Sequence, residues 1–143
     1  MKFWKKFWKL VSRKDLFFGI LLFAVVIGMT VYETYHKVTV EFNDTAVDIR
    51  TSKYAMNIPY DQVESIELVE LPDAGQVIDG ADDMTARTGL WKNEIWGEYY
   101  ICADLNSSTC IAVHLKDGRI FVFSRRNEEE TEHDYRQFLQ QLP

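Results

Sequence analysis

Hydrophobic and polar positions follow four different rules along this chain, and each change of rule marks a boundary. At the start, Phe3, Trp4, Phe7, Trp8 and Val11 recur at helical spacing, while Lys2, Lys5, Lys6, Lys9 and Arg13 fall mainly opposite. That spacing predicts a short amphipathic helix with an aromatic side and a basic side. Over residues 16–32 the alternation stops, and seventeen positions, LFFGILLFAVVIGMTVY, carry no charge. Wound as a helix, this run reaches the short end of what crosses about 30 Å of hydrocarbon. The competing readings are a buried core helix and a cleavable signal peptide. The run is too uniform for the first, and Gly28-Met29-Thr30 makes a poor cleavage site for the second.

From Lys37 the period becomes two. Val38, Val40 and Phe42 alternate with polar neighbours, Asn43-Asp44 makes a turn, and Val47 and Ile49 alternate again. KYAMNI reads as a third strand, closed by Pro59. YDQVESIELVEL begins as a turn and continues as a strand with Ile66 and Leu68 on one side and Glu67 and Val69 on the other. PDAGQVIDGADD then reads as the longest and most polar loop. MTARTGLW, EIWGEYYICAD, CIAVHL and RIFVFSRR follow as strands separated by Gly89, LNSS and KDG. About seven antiparallel strands at this spacing signal a barrel or sandwich.

The last change of period restores helical spacing. Thr131, Tyr135, Phe138, Leu139 and Leu142 form an apolar stripe, Asn127 is a suitable N-cap, and Glu128, Glu129 and Glu130 suit the positive end of the dipole. A helix over 128–142 is predicted to close the strands. The organisation is therefore a basic aromatic interfacial segment at 1–14, a membrane helix at 15–35, and a β domain at 36–143.

Charge sharpens the first two assignments. Residues 1–14 hold six Lys/Arg and no acid, whereas residues 37–143 hold ten Lys/Arg against twenty Asp/Glu, a balance of −10. An acidic domain repels phosphate backbones, so nucleic acid is not an expected partner. The lipid bilayer is. The anchor is assigned to Phe3, Trp4, Lys5, Lys6, Phe7 and Trp8 as an interfacial foot continuous with the spanning helix. Its spanning part holds Leu16, Phe17, Phe18, Leu21, Leu22, Phe23, Val26 and Ile27. The excess of lysine before the span places the N-terminus in the cytoplasm and the C-terminal domain outside.

The β domain resembles the small bacterial pleckstrin-homology-like (PH-like) domains of membrane proteins. The resemblance covers about residues 37–142. It is carried by Ile58-Pro59, Val63, Ser65-Ile66, Arg87, Gly89, Gly97, Asp117-Gly118, Phe121, Phe123 and the acidic helix start. It implies a bent antiparallel sheet plugged by the last helix, and a binding module with no catalytic activity. The lipid-binding members of the wider group use a basic first hairpin loop, and here that loop, FNDTAVD, is acidic.

Candidate chemistry is sparse. His36, His114 and His133 have no carboxylate partner at motif spacing and read as structural or solvated. Asp79, Asp82 and Asp83 do not match a calcium loop, so neither a metal nor another cofactor is expected. Cys102 and Cys110 flank ADLNSST symmetrically; a cross-strand disulfide and two buried thiols are both open readings. Candidate partner-binding residues are Asp79, Asp82, Asp83, Arg87, Trp91 and Trp96, around a turn at Gly89. The expected function is a membrane-anchored, non-catalytic module binding another membrane or envelope protein. An accessory subunit of a larger membrane complex and an envelope enzyme are the alternatives, and no small-molecule ligand is specified.

Overall fold

The computed structural model describes residues 2–143, apart from the side chains of Glu33, Tyr35 and His36, so the reading of His36 lies outside the described residues. The chain divides into two compact units, one ending at Thr34 and the other running from Tyr35 to Pro143.

The first unit is helical. α1 (Lys2–Leu10) and α2 (Arg13–His36) are separate helices rather than one continuous rod. The break has a local cause at Ser12. Its hydroxyl accepts from the Asp15 amide at 3.2 Å, and the Asp15 carboxylate accepts from the Ser12 amide at 3.1 Å. This reciprocal capping box starts a new helix where the sequence pattern alone suggested continuation. In α1, Phe3, Trp4, Phe7 and Trp8 are all exposed, with Trp4 edge-on to Phe7 at 6.5 Å.

The 24 residues of α2 extend about 36 Å. Arg13–Tyr32 is long and apolar enough to cross a membrane, and its large side chains are exposed on every side. Its threonine hydroxyls bond within the helix: Thr30 donates to the Val26 carbonyl and Thr34 to that of Thr30, each at 2.9 Å.

The second unit is mainly β, with nine strands among the described residues where about seven were expected. β1 (Thr39–Phe42), β2 (Ala46–Arg50) and β3 (Ala55–Pro59) form a three-stranded antiparallel sheet. A turn of 3-10 helix, Tyr60–Gln62, leads to β4 (Val63–Glu70). β5 (Gln76–Asp82), β6 (Ala86–Asn93), β7 (Gly97–Asp104), β8 (Thr109–Leu115) and β9 (Ile120–Phe123) follow, and α3 (Glu128–Gln141) closes the chain. β4 to β9 form one six-stranded sheet in the order β4-β8-β9-β7-β6-β5. The two sheets do not close into a barrel.

Three expectations fail here for physical reasons. The Asp-rich stretch is not a loop: its residues pair with β6, because the hairpin ladder satisfies backbone groups that polar side chains cannot. Gly89 is not a turn but lies within β6, at φ 99°, opposite Gly80. A methyl group there would overlap the Asp79 carbonyl and the Gly80 Cα, so glycine lets the two strands approach. The sheet is also not wholly antiparallel, since β9 inserts between β7 and β8 and runs parallel to β7.

The alternation of period two places an apolar side chain on each face of the central strands. One face carries Cys102, Ile111, Val113, Leu115, Phe121 and Phe123, packed with Val47, Ile49 and Ile58 of the smaller sheet and with Phe138 of α3. The other face carries Tyr99, Ile101, Ala103, Cys110, Ala112 and Val122, with Trp91 and Ala74 beside them. The Tyr99 hydroxyl donates to the Ala74 carbonyl at 2.6 Å, which ties the β4–β5 link to that second core. Strands buried on both faces read as unbroken apolar runs, and CIAV and IFVF do.

α3 begins where expected. Asn127 accepts from the Glu130 amide at 2.8 Å, and the reach of the helix matches the expected span to within a residue. Its buried stripe differs. Thr131, Asp134 and Phe138 are buried, whereas Leu139 is 46% exposed. Asp134 is buried because Arg125 reaches its carboxylate at 3.2 Å. Removal from water holds the Asp134 carboxyl above its usual range, partly offset by the Arg125 guanidinium.

Candidate functional site

The residues singled out for binding lie around the β5–β6 hairpin, in two environments. Asp79 and Asp82 stand on β5, and all seven residues of that strand are exposed. Asp82 faces Arg87 in the ladder, and the Arg87 Nε lies 3.4 Å from its carboxylate. The guanidinium also covers the Trp91 ring, 5.1 Å from its centre. Asp83 begins the turn and accepts from the Met84 amide at 2.7 Å. Arg87 thus forms an ion pair with a neighbouring carboxylate, although its Nε makes no hydrogen bond there.

Trp91 belongs elsewhere. It is 5% exposed, lies in the second core, and donates its indole N–H to the Thr88 carbonyl at 3.0 Å. It cannot be a solvent-facing anchor, because period two in β6 turns it inward. Trp96 sits in the β6–β7 turn, half-buried, with its ring against Tyr99 at 5.1 Å. What the sequence reading missed is the apolar content of β5 itself: Val77 and Ile78 are both about half exposed, and Ile78 is the unpaired residue of a bulge that re-aims the strand.

β5 has a partner on one side only. It ends the six-stranded sheet, so half of its backbone amides and carbonyls point away from β6. An exposed edge of this kind can accept an extended chain as an added strand, with main-chain bonds supplying affinity.

A concave feature went unnoticed in the sequence because its walls lie far apart in the chain, β1 ending at Phe42 and α3 beginning at Glu128. β1 and the N-terminal half of α3 enclose an open cleft of about 700 Å³ lined by Val40, Phe42, Glu130 and His133, among others. No run of adjacent residues announces it.

His114 does have a carboxylate partner, Glu67, at 2.7 Å across the β4–β8 ladder. The sequence separation of 47 residues hid this pair. His133 lies 3.8 Å from Asp134. Among the described residues no three His, Cys, Asp or Glu side chains converge as a metal site.

Cys102 and Cys110 are free thiols. The bridged reading assumed that β7 and β8 pair directly. With β9 between them, two strand spacings of about 4.8 Å exceed the reach of a disulfide. They also face opposite cores. Burial pushes both thiols up to about 12.

A folded-state value above the unfolded one, near 9, means that each thiol favours folding below pH 9. That contribution is lost as pH climbs towards 12, on the order of 1.4 kcal/mol per pH unit per thiol. Tyr54 and Tyr99, also pushed to about 12 by burial, act in the same direction from pH 10 upward. The urea midpoint is therefore expected to fall steeply above pH 9, and less steeply in a Cys102→Ala/Cys110→Ala variant. In parallel, a thiol reagent without reductant should label neither cysteine at pH 8 until the chain is unfolded, and then both. Absence of label in the unfolded chain would restore the disulfide.

Comparison with known proteins adds no relative. No family model, no curated protein and no solved structure matches this chain. Its geometry therefore carries the functional argument alone.

Proposed function

We propose that this chain is a single-pass membrane protein, with its N-terminus in the cytoplasm and its β domain outside. In this reading the domain is a non-catalytic, PH-like module that docks an extended segment of another envelope protein. The observation that carries the reading is β5, an edge strand exposed along its whole length and bearing Val77 and Ile78 towards solvent. The anchor is supported by the apolar Arg13–Tyr32 and by the lysines that precede it. The PH-like assignment is supported by the two packed sheets and by the C-terminal helix set against them. The non-catalytic assignment draws on the thiols, which are buried and held protonated and so are poor nucleophiles.

Two measurements test it. An epitope placed after Pro143 should be digested by protease added to intact cells; protection would reverse the topology. A photo-crosslinking residue at Gln76 or Ala81 should give a discrete adduct in intact cells, and one at Lys116 should not. Equal labelling from both positions would remove β5 as the docking edge.

A further inference from the structure

The cleft between β1 and α3 has three properties that together specify an occupant. First, β1 is the outer strand of the three-stranded sheet, bonded to β2 alone, so half of its amides and carbonyls point away from that partner. Second, its apolar side chains, Val40 and Phe42, are half-buried at the cleft, and Phe42 rests edge-on against Phe138 of α3 at 5.9 Å. Strand edge and helix thus form two walls with an apolar floor. Third, the walls are acidic. Glu41, Glu129, Glu130 and Asp134 line the cleft against one arginine, Arg125, a balance of −3 with His133 neutral.

Arg125 is already held by two of these carboxylates and offsets part of their charge, so Glu41 and Glu129 are the acids left open to a newcomer. The Arg125 Nη1 donates to Asp134 at 3.2 Å, and its Nε lies 3.9 Å from the Glu130 carboxylate. Glu41 has a weaker claim on Arg50 at 3.4 Å, with both side chains mostly in solvent. Glu129 has no such cation among the ion pairs described.

We infer that this cleft binds an extended, lysine- or arginine-bearing peptide segment of a partner protein as a fourth strand on β1, against α3. The backbone edge supplies the main-chain bonds and fixes the extended conformation. Alternate side chains of the guest point to the apolar floor and to the carboxylates, because strand period is two. The charge sign selects the partner and speeds its encounter. A second copy of this domain is the wrong guest, since its balance of −10 repels the same walls. The cleft is on a different sheet from β5, so the inference does not depend on docking at that edge.

The test uses the full chain in nanodiscs of zwitterionic lipid, so that basic peptides do not adsorb to the bilayer. Three heptapeptides serve as probes: alternating Lys and Val, alternating Glu and Val, and the Lys–Val peptide with alternate amides N-methylated. The Lys–Val peptide should bind and shift amide resonances at residues 40–42 and 127–137, with affinity that falls as salt rises. The Glu–Val peptide should bind at least about ten-fold more weakly, and N-methylation should abolish binding. Glu41→Gln/Glu129→Gln should weaken the Lys–Val peptide about ten-fold, while loss of the Arg50 pair and of one acid in the first turn of α3 lowers the melting temperature by no more than about 5 °C. Equal binding of the acidic peptide, tolerance of N-methylation, shifts confined to β5, or no binding at millimolar peptide would each overturn the inference. Because salt dependence is read on the unaltered chain, a folding defect in the variant would not rescue it.

Discussion

Phe138→Ala is expected to cost about 3–5 kcal/mol of folding stability, against about 5–15 for a domain of this size. Phe138 is fully buried, and it is where the parts of the domain meet. Its ring lies 5.9 Å from Phe42 of β1, 6.0 Å from Tyr60 of the 3-10 turn and 6.2 Å from Phe123 of β9. Truncation removes all three aromatic contacts together and leaves a void that neither a sheet nor a capped helix can easily fill. A fall in melting temperature of more than about 12 °C should follow in the full chain in detergent micelles. Leu139→Ala is the matched control. Its neighbour in sequence is half exposed and should change stability by no more than about 0.5 kcal/mol. Equal losses at the two positions would mean that α3 is rotated about its axis relative to the structure described.

Trp91→Ala is expected to cost a similar amount, about 3–5 kcal/mol, because the indole fills the second core and donates to the Thr88 carbonyl. Any accompanying loss of partner capture would then follow from unfolding and say nothing about contact. Trp96→Ala, at a half-buried turn position, should cost only on the order of 1 kcal/mol. Urea midpoints of both variants, measured beside crosslinking from β5, separate the two roles. If Trp91→Ala keeps the parental midpoint, Trp91 is a surface residue and the assignment of the second core is wrong.

The sequence pattern was a good guide wherever one element decides its own environment. The uncharged run of residues 16–32, the Asn127 cap and the alternation of Ile66 and Leu68 with Glu67 and Val69 each appear in the structure as read. Period and capping are local properties, and neighbours in space do not change them. Reading failed where the deciding partner is distant in the chain. Residues 76–82 look like a loop because Asp79, Asp82 and Gly80 are poor strand formers; only pairing with β6 makes them a strand. Glu67 reaches His114, and Glu41 shares a cleft with Glu129, through the order of strands rather than through spacing. In α3, burial of Asp134 in preference to Leu139 depends on Arg125, nine residues earlier in the chain and outside the helix.

The cysteine pair shows the same limit most sharply. Symmetry about Asn106 suggests a hairpin, yet the turn there joins strands that do not pair with each other. Ser124, just past β9, donates to the Asp104 carbonyl at 3.0 Å, closing the gap at the end of β7.

That late wedge governs how the domain can be made. Ile120–Phe123 occupies the centre of the large sheet but is made after the other strands of both sheets. Until it arrives, β7 and β8 have no correct neighbour between them, and each presents an open, apolar flank. A chain released anywhere before residue 120 is therefore not a shortened domain but an unfinished one, prone to mispairing. Assembly of the large sheet must wait until Phe123 has been made, and one four-residue strand then joins a set of waiting strands into a single solid.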